Sequence, residues 1–206
     1  MWRRWLGIRS AIALTLLLLA VWQICAGLFI PTKSLLAQHL LQDAWRKTKL
    51  GAIEVKPWPW ADTWPVARLR APGHDVDLLV LAGVSGESLA FGPGHLQGTP
   101  ALGQPGNSII GGHRDTSLAF LEQVRIGEKL FVERPDGREL TYRITGSAIA
   151  DARQPWRSPV GSNPMLTLVT CYPFNAVLPG GPFRYLVFAM LIPLRTAQPS
   201  PYFADL

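Results

Sequence analysis

The chain holds two cysteines, Cys25 and Cys171, and only the second stands where a thiol can do chemistry. Cys171 ends the run Thr167-Leu168-Val169-Thr170-Cys171, a β-type segment that Tyr172-Pro173 stops, so its side chain is delivered to the rim of a sheet. Most free cysteines are simply small buried hydrophobes. Cys25 lies inside an apolar block, at bilayer depth and far from Cys171, so a disulfide between them is implausible. An unpaired thiol outside the cytoplasm is open to oxidation, and one kept there more often has a task.

A thiol with a pKa of about 8.5 is a weak nucleophile at neutral pH until a base or a cation raises its thiolate fraction. Of the four histidines, His113 follows an apolar strand, Ser108-Ile109-Ile110, and sits in the glycine-rich turn Gly111-Gly112-His113-Arg114. Strand ends are where side chains converge on a site. His74 and His95 lie in Pro-Gly-His turns and read as surface residues, and His39 falls on an amphipathic helix. Downstream, Pro179-Gly180-Gly181-Pro182 turns the chain and Arg184 opens the apolar strand Phe183–Phe188. Arg184 reads either as a strand-end arginine reaching solvent or as a fixed guanidinium stabilising a tetrahedral oxyanion. H-x-x-H, C-x-x-C and H-E-x-x-H spacings are absent, as are G-x-S-x-G, Walker and Rossmann patterns, so neither a metal nor a cofactor is expected.

The elements that must position these residues are short. After Lys56–Pro65, where three prolines and three tryptophans forbid regular structure, β-type runs occupy Val66–Leu69, Asp77–Leu81, Ser108–Gly111, Lys129–Glu133, Leu140–Ala150, Met165–Cys171 and Tyr185–Ile192. Asp136-Gly137 marks a hairpin between the fourth and fifth. Only Thr116–Val124 has a helical pattern in this region, which predicts an all-β barrel or sandwich with one short helix. A chain of 206 residues leaves room for one such domain after an anchor.

The anchor is the stretch Ala11–Ile30, apolar apart from Thr15 and Gln23 and long enough to cross a hydrocarbon core of about 30 Å. It exceeds the usual apolar region of a cleaved signal peptide, about 7–15 residues, and lacks a convincing cleavage site before Pro31. Arg3, Arg4 and Arg9 precede it without an acid, which favours a cytoplasmic N-terminus, although Lys33, Arg46, Lys47 and Lys49 weaken the asymmetry. Residues 1–10 are therefore expected on the cytoplasmic side, 11–30 as a transmembrane helix, 31–57 as a helical stalk and linker, and 58–206 as the outward-facing catalytic domain. The net charge of +6 is scattered, with no basic helix or basic-aromatic ladder. That excludes a nucleic-acid module and suits a protein at an anionic membrane surface.

Taken together, Thr167-Leu168-Val169-Thr170-Cys171, the upstream His113 and the downstream Arg184 resemble the sortases, whose signature is T-L-x-T-C at a strand end with a histidine and an arginine beside it. The likeness runs from about Trp58 to Pro193. Gly106-Asn107-Ser108 before Gly112-His113-Arg114-Asp115-Thr116, and Cys171-Tyr172-Pro173-Phe174 before Gly180-Gly181-Pro182, look like the Gram-negative, proteobacterial branch. The resemblance implies a closed sortase-type β-barrel with one or two short helices behind a transmembrane helix at the inner membrane. It also implies a cysteine transpeptidase that cleaves a C-terminal L-P-x-T-G-like sorting signal in an exported protein and passes the product to an amine acceptor. Cys171 would attack, His113 would protonate the leaving amine, and Arg184 would support the oxyanion. The family places its recognition loop before the cysteine strand, here Asp151–Pro159, which with Thr170 makes Arg153 and Trp156 the expected peptide contacts. Calcium-binding acids of some relatives are not recognisable, so metal activation is not implied. A hydrolytic cysteine peptidase would use the same three residues, and a non-catalytic membrane-anchored binding domain would not need to keep them together.

Overall fold

The computed structural model describes residues 2–155, 162–178 and 180–193. The chain divides into two compact units, Met1–Leu40 and Leu41–Leu206. The first is helical and contains most of α1 (Trp2–Lys49), a helix long and apolar enough to cross a membrane. Leu14, Leu16, Leu17, Leu18, Leu19, Val21, Trp22 and Ile24 are each between 50% and 71% exposed. A helix in a protein core buries such residues, and this one leaves them exposed. The helix also continues through Pro31, where the sequence predicts a change from span to stalk. One missing backbone donor does not end a helix that the residues on both sides favour.

The second unit is a closed barrel of eight strands: β1 (Pro65–Ala71), β2 (Val76–Ala82), β3 (Gly94–His95), β4 (Gly106–Gly111), β5 (Lys129–Glu133), β6 (Glu139–Asp151), β7 (Pro164–Cys171) and β8 (Phe183–Leu191). Around the barrel the order is β1-β2-β3-β4-β7-β8-β6-β5, with β5 closing on β1. The β2/β3 and β4/β7 pairs are parallel and the rest antiparallel. Every β-run expected from the sequence is a strand, and the Asp136-Gly137 hairpin joins β5 to β6, with Gly137 at φ 80°.

Alternation decides which side chains fill the barrel. Leu69, Val80, Ile110, Leu130, Tyr142, Leu166, Leu168 and Val187 are buried inside, each large aliphatic contributing about 1.5–3 kcal/mol relative to exposure. Tyr142 keeps its hydroxyl satisfied by accepting from the Gly103 N–H at 2.9 Å, and burial pushes its pKa up. On the outside of β2, Leu79 and Leu81 are covered by Leu41 and Trp45 from the last turns of α1. Two elements differ from expectation. The helical pattern at Thr116–Val124 yields only the 3₁₀ turn Ala119–Glu122, whose Phe120 and Leu121 plug the core. A short helix, α2 (Gly86–Leu89), forms where none is predicted, with the Ser85 side chain accepting from the Ser88 N–H.

Candidate active site

Strand order sets Cys171 opposite Arg184 and ties the turn before His113 to β7. β7 lies between β4 and β8, so Cys171 at its end has one neighbour strand on each side. In the antiparallel pair the register sets Cys171 opposite Arg184. In the parallel pair Gly111 stands opposite Val169, and the link continues beyond β4 as Gly112 N–H donates to Val169 O at 3.1 Å. Two residues further along both chains are His113 and Cys171. Paired residues on strands about 4.8 Å apart project to one face, so Cys171 and Arg184 share a face, and the turn that carries His113 is tied to the end of β7. That face is the outside of the barrel, since Leu166, Leu168 and Thr170 of β7 are buried while Val169 and Cys171 are half-buried. His113 is exposed and Arg184 half-buried.

Several contacts hold this register. Thr170 is buried on the opposite face from Cys171, and its hydroxyl donates to Gly112 O at 2.8 Å. Thr170 thus pins the His113 turn to β7 and does not line the outer face where a peptide would lie. The Thr167 hydroxyl donates to Asn107 Oδ1 at 2.9 Å in a buried link between β7 and β4. Gly112 has to be glycine, because a Cβ there would lie 2.7 Å from Ser117 Oγ and 2.8 Å from Leu118 Cγ. The His113 carbonyl accepts from Leu118 N–H at 2.9 Å, which closes the turn.

Arg184 is ordered by the loop before it: Nη1 donates to Gly181 O at 2.7 Å and to Phe183 O at 2.9 Å. Among the described residues Nε and Nη2 make no hydrogen bond, so their three N–H donors stay available. Arg114 points elsewhere, with Nη2 2.6 Å from Ala176 O and 3.3 Å from Leu178 O.

A cleft of about 350 Å³ runs along the same outer face. Val84, Leu96, Ile109, Gly111, Val169 and Leu186 make its apolar wall, and Ala150, Asp151, Ala152, Gln154 and Arg184 complete it. Cys171 and His113 are not lining residues, but Arg184 is the β8 partner of Cys171 and Val169 precedes Cys171 by two. Arg153 is not in the wall. Its guanidinium chelates Asp151, with Nη2 2.6 Å from Oδ2 and Nε 3.0 Å from Oδ1, and this holds the Asp151 carboxyl below the usual range. Trp156 lies outside the described residues.

The remaining barrel histidines are engaged away from the thiol, more tightly than surface turns suggest. His74 Nε2 lies 2.7 Å from Glu128 Oε2 with its side chain 12% exposed, because the 3₁₀ turn Pro72–His74 folds the ring toward Phe120. His95 belongs to β3, with Nε2 3.0 Å from Pro100 O. Asn107 is the positioning residue that sequence reading left without a role. Its signal was a polar side chain immediately before the run Ser108–Gly111. Among the described residues no group of three or more His, Cys, Asp or Glu side chains converges to hold a metal.

Comparison with known proteins falls on this same region. The model of the sortase domain matches residues 69–192. Sortase D of Bacillus subtilis (strain 168) is 28% identical over 121 residues, which cover 58% of this chain and 60% of that protein. The chain therefore matches somewhat less than two thirds of the length of this curated relative. The crystal structure of sortase C-1 from Actinomyces oris superposes with a TM-score of 0.56 at 28% identity, covering 63% of this chain and 76% of that one. Sortase D5 of Clostridium perfringens, at 19% identity and a TM-score of 0.60, covers 77% of this chain and 99% of its own and shares the fold.

Proposed function

From the premise that this chain belongs to the sortase family, we propose that it is a membrane-anchored cysteine transpeptidase acting on a C-terminal sorting signal of the L-P-x-T-G kind. The observation that supports this reading is the register that sets Cys171 opposite Arg184, a cleft-lining residue, with the His113 turn tied to β7 through Gly112 and Thr170. The Cys171 thiolate adds to the scissile carbonyl and forms a C–S bond, and the oxyanion is held by the free donors of Arg184. Protonated His113 gives its proton to the departing amine as the C–N bond breaks, leaving a thioacyl enzyme. An amine acceptor then attacks the thioester, forms the new amide and releases the thiol. The apolar wall around Val169, Leu186 and Ile109 suits the aliphatic part of the signal. In this reading Arg153, with Asp151, and Trp156 belong to the recognition loop, and Thr170 acts by fixing the His113 turn.

The test is to offer the full chain a library of sorting-signal peptides with a defined amine. A thioacyl adduct on Cys171 and a ligated product are expected. Hydrolysed product alone, at every amine concentration, would favour the peptidase reading instead.

Arg184→Ala is expected to lose about 10²–10³ in kcat with a smaller change in KM, since the charge it meets appears only in the transition state. Arg184→Lys should recover little, because an ammonium cannot reproduce the planar fork. Wild-type kcat in a folded Arg184→Ala enzyme, measured by peptide cleavage, would remove the arginine from the mechanism.

The domain assignment proposed with this function is 1–10 cytoplasmic, 11–30 spanning, 31–57 stalk and 58–206 catalytic. The Gly112–Thr116 and Cys171–Phe174 segments support the proteobacterial branch, and with it an inner membrane and a periplasmic catalytic domain. A periplasm-dependent reporter fused after Leu206 should be active, and activity of a cytoplasm-dependent reporter there would reverse the orientation.

A further inference from the structure

The loop that joins Cys171 to Arg184 is held at its two ends and bare at its tip. At the start, Tyr172 N–H donates to Phe183 O at 3.0 Å, and Tyr172 and Phe174 cluster with Tyr185, the Phe174 and Tyr185 ring centroids lying 5.3 Å apart. At the finish, Arg184 grips Gly181 O and Phe183 O. Between them Val177 is 95% exposed and Leu178 79% exposed, so packing does not hold the tip. Among the described residues one side chain hydrogen-bonds it: Arg114, whose Nη2 reaches Ala176 O at 2.6 Å and Leu178 O at 3.3 Å. Arg114 is half-buried and immediately follows His113, in the turn pinned to β7 by Thr170 and Gly112.

We infer that Arg114 is a positioning residue: it ties the loop following the nucleophile to the turn that carries the histidine, and so fixes the loop that runs from Cys171 to the cleft-lining Arg184. This rests on the reading of the site given above. The tether closes a circuit from Cys171 through the loop tip to Arg114 and back through the His113 turn to β7. A cationic donor shared between two carbonyls suits this task, because each bond is charge-assisted and neither carbonyl has a competing partner among the described residues. Arg114 does not touch the reacting atoms. Its loss should therefore weaken productive binding more than the chemical step.

The experiment uses the full chain in detergent micelles and compares wild type, Arg114→Ala and Arg114→Lys. Thermolysin cuts before exposed aliphatic residues, so cleavage at Val177 and Leu178 reads the freedom of the tip. Loss of a charge-assisted pair is expected to speed this cleavage about tenfold or more in Arg114→Ala, with other cut sites and the thermal midpoint close to wild type. Arg114→Lys should fall between, since one ammonium can reach a carbonyl but does not reproduce the guanidinium geometry. With a sorting peptide, KM should rise about tenfold in Arg114→Ala while kcat stays within about threefold. Unchanged tip cleavage, or equal acceleration at every site, overturns the tether. A kcat loss of about 10² at constant KM also overturns it, by making Arg114 part of the chemistry. If the wild type forms no thioacyl adduct with any peptide, the proposed function fails, while the protease comparison still decides what Arg114 holds.

Discussion

Cys171→Ala is expected to abolish peptide cleavage, acyl-enzyme formation and transfer together, with the barrel still folded. The expectation follows from what the thiol does at each step. It supplies the electron pair that attacks, it carries the acyl group between the two half-reactions, and it leaves when the amine displaces it. No neighbour can take over: Thr170 is buried on the other face with its hydroxyl donated to Gly112 O, and the other cysteine, Cys25, lies in α1. Substitution should cost little stability, because Cys171 is only half-buried at a strand end and alanine preserves the backbone pairing with Arg184. The measurement is paired. In a Cys25→Ser background, iodoacetamide should label the parent once and the Cys171→Ala chain not at all, and intact mass should show the acyl adduct only in the parent. Cleavage by Cys171→Ala at the parental rate would exclude a thioacyl mechanism.

The barrel was legible because its strands obey a period of two and are punctuated by glycine and proline. What escaped is what local pattern does not encode. β3 is two residues long, and it exists because Gly94 lets the chain approach Gly83 so closely that a Cβ would collide with the Gly83 carbonyl. The apolar spacing at Thr116–Val124 reflects Leu118, Phe120 and Leu121 entering the core from a 3₁₀ turn, where tertiary burial replaces helix periodicity. The passage of α1 through Pro31 is a similar case, with cooperative helix on both sides outweighing a local breaker.

At the site, residue types pointed to Cys171, His113 and Arg184, but only the strand order sets Cys171 opposite Arg184 and β4, which leads into the His113 turn, beside β7. Ser108–Gly111 and Met165–Cys171 are separated by about fifty residues of sequence, and their parallel pairing is a long-range choice. Thr170 shows the limit from the other direction. Its place in the motif suggested substrate, whereas alternation along β7 turns it inward, and its hydroxyl instead fixes the turn that carries the histidine.

His113→Ala is expected to lower kcat/KM by about 10²–10⁴, the range for a positioned proton-transfer group. The reason lies in the leaving group. An amine cannot depart from the tetrahedral adduct as an anion, so a proton has to reach its nitrogen as the C–N bond breaks. Position singles out His113: its turn follows the Gly111–Val169 pair at the end of β4 beside β7, while His74 is held by Glu128 and His95 by Pro100 O. His74→Ala and His95→Ala should therefore keep kcat/KM near wild type, although His74→Ala gives up a half-buried hydrogen bond to Glu128 and should melt earlier. A second substrate separates chemistry from folding. An activated aryl ester of the same peptide leaves without needing a proton, so His113→Ala should recover most of its acylation rate on the ester and little on the amide. Equal losses on ester and amide, or equal losses in all three histidine variants, would mean that His113 holds the turn in place and that the proton comes from elsewhere.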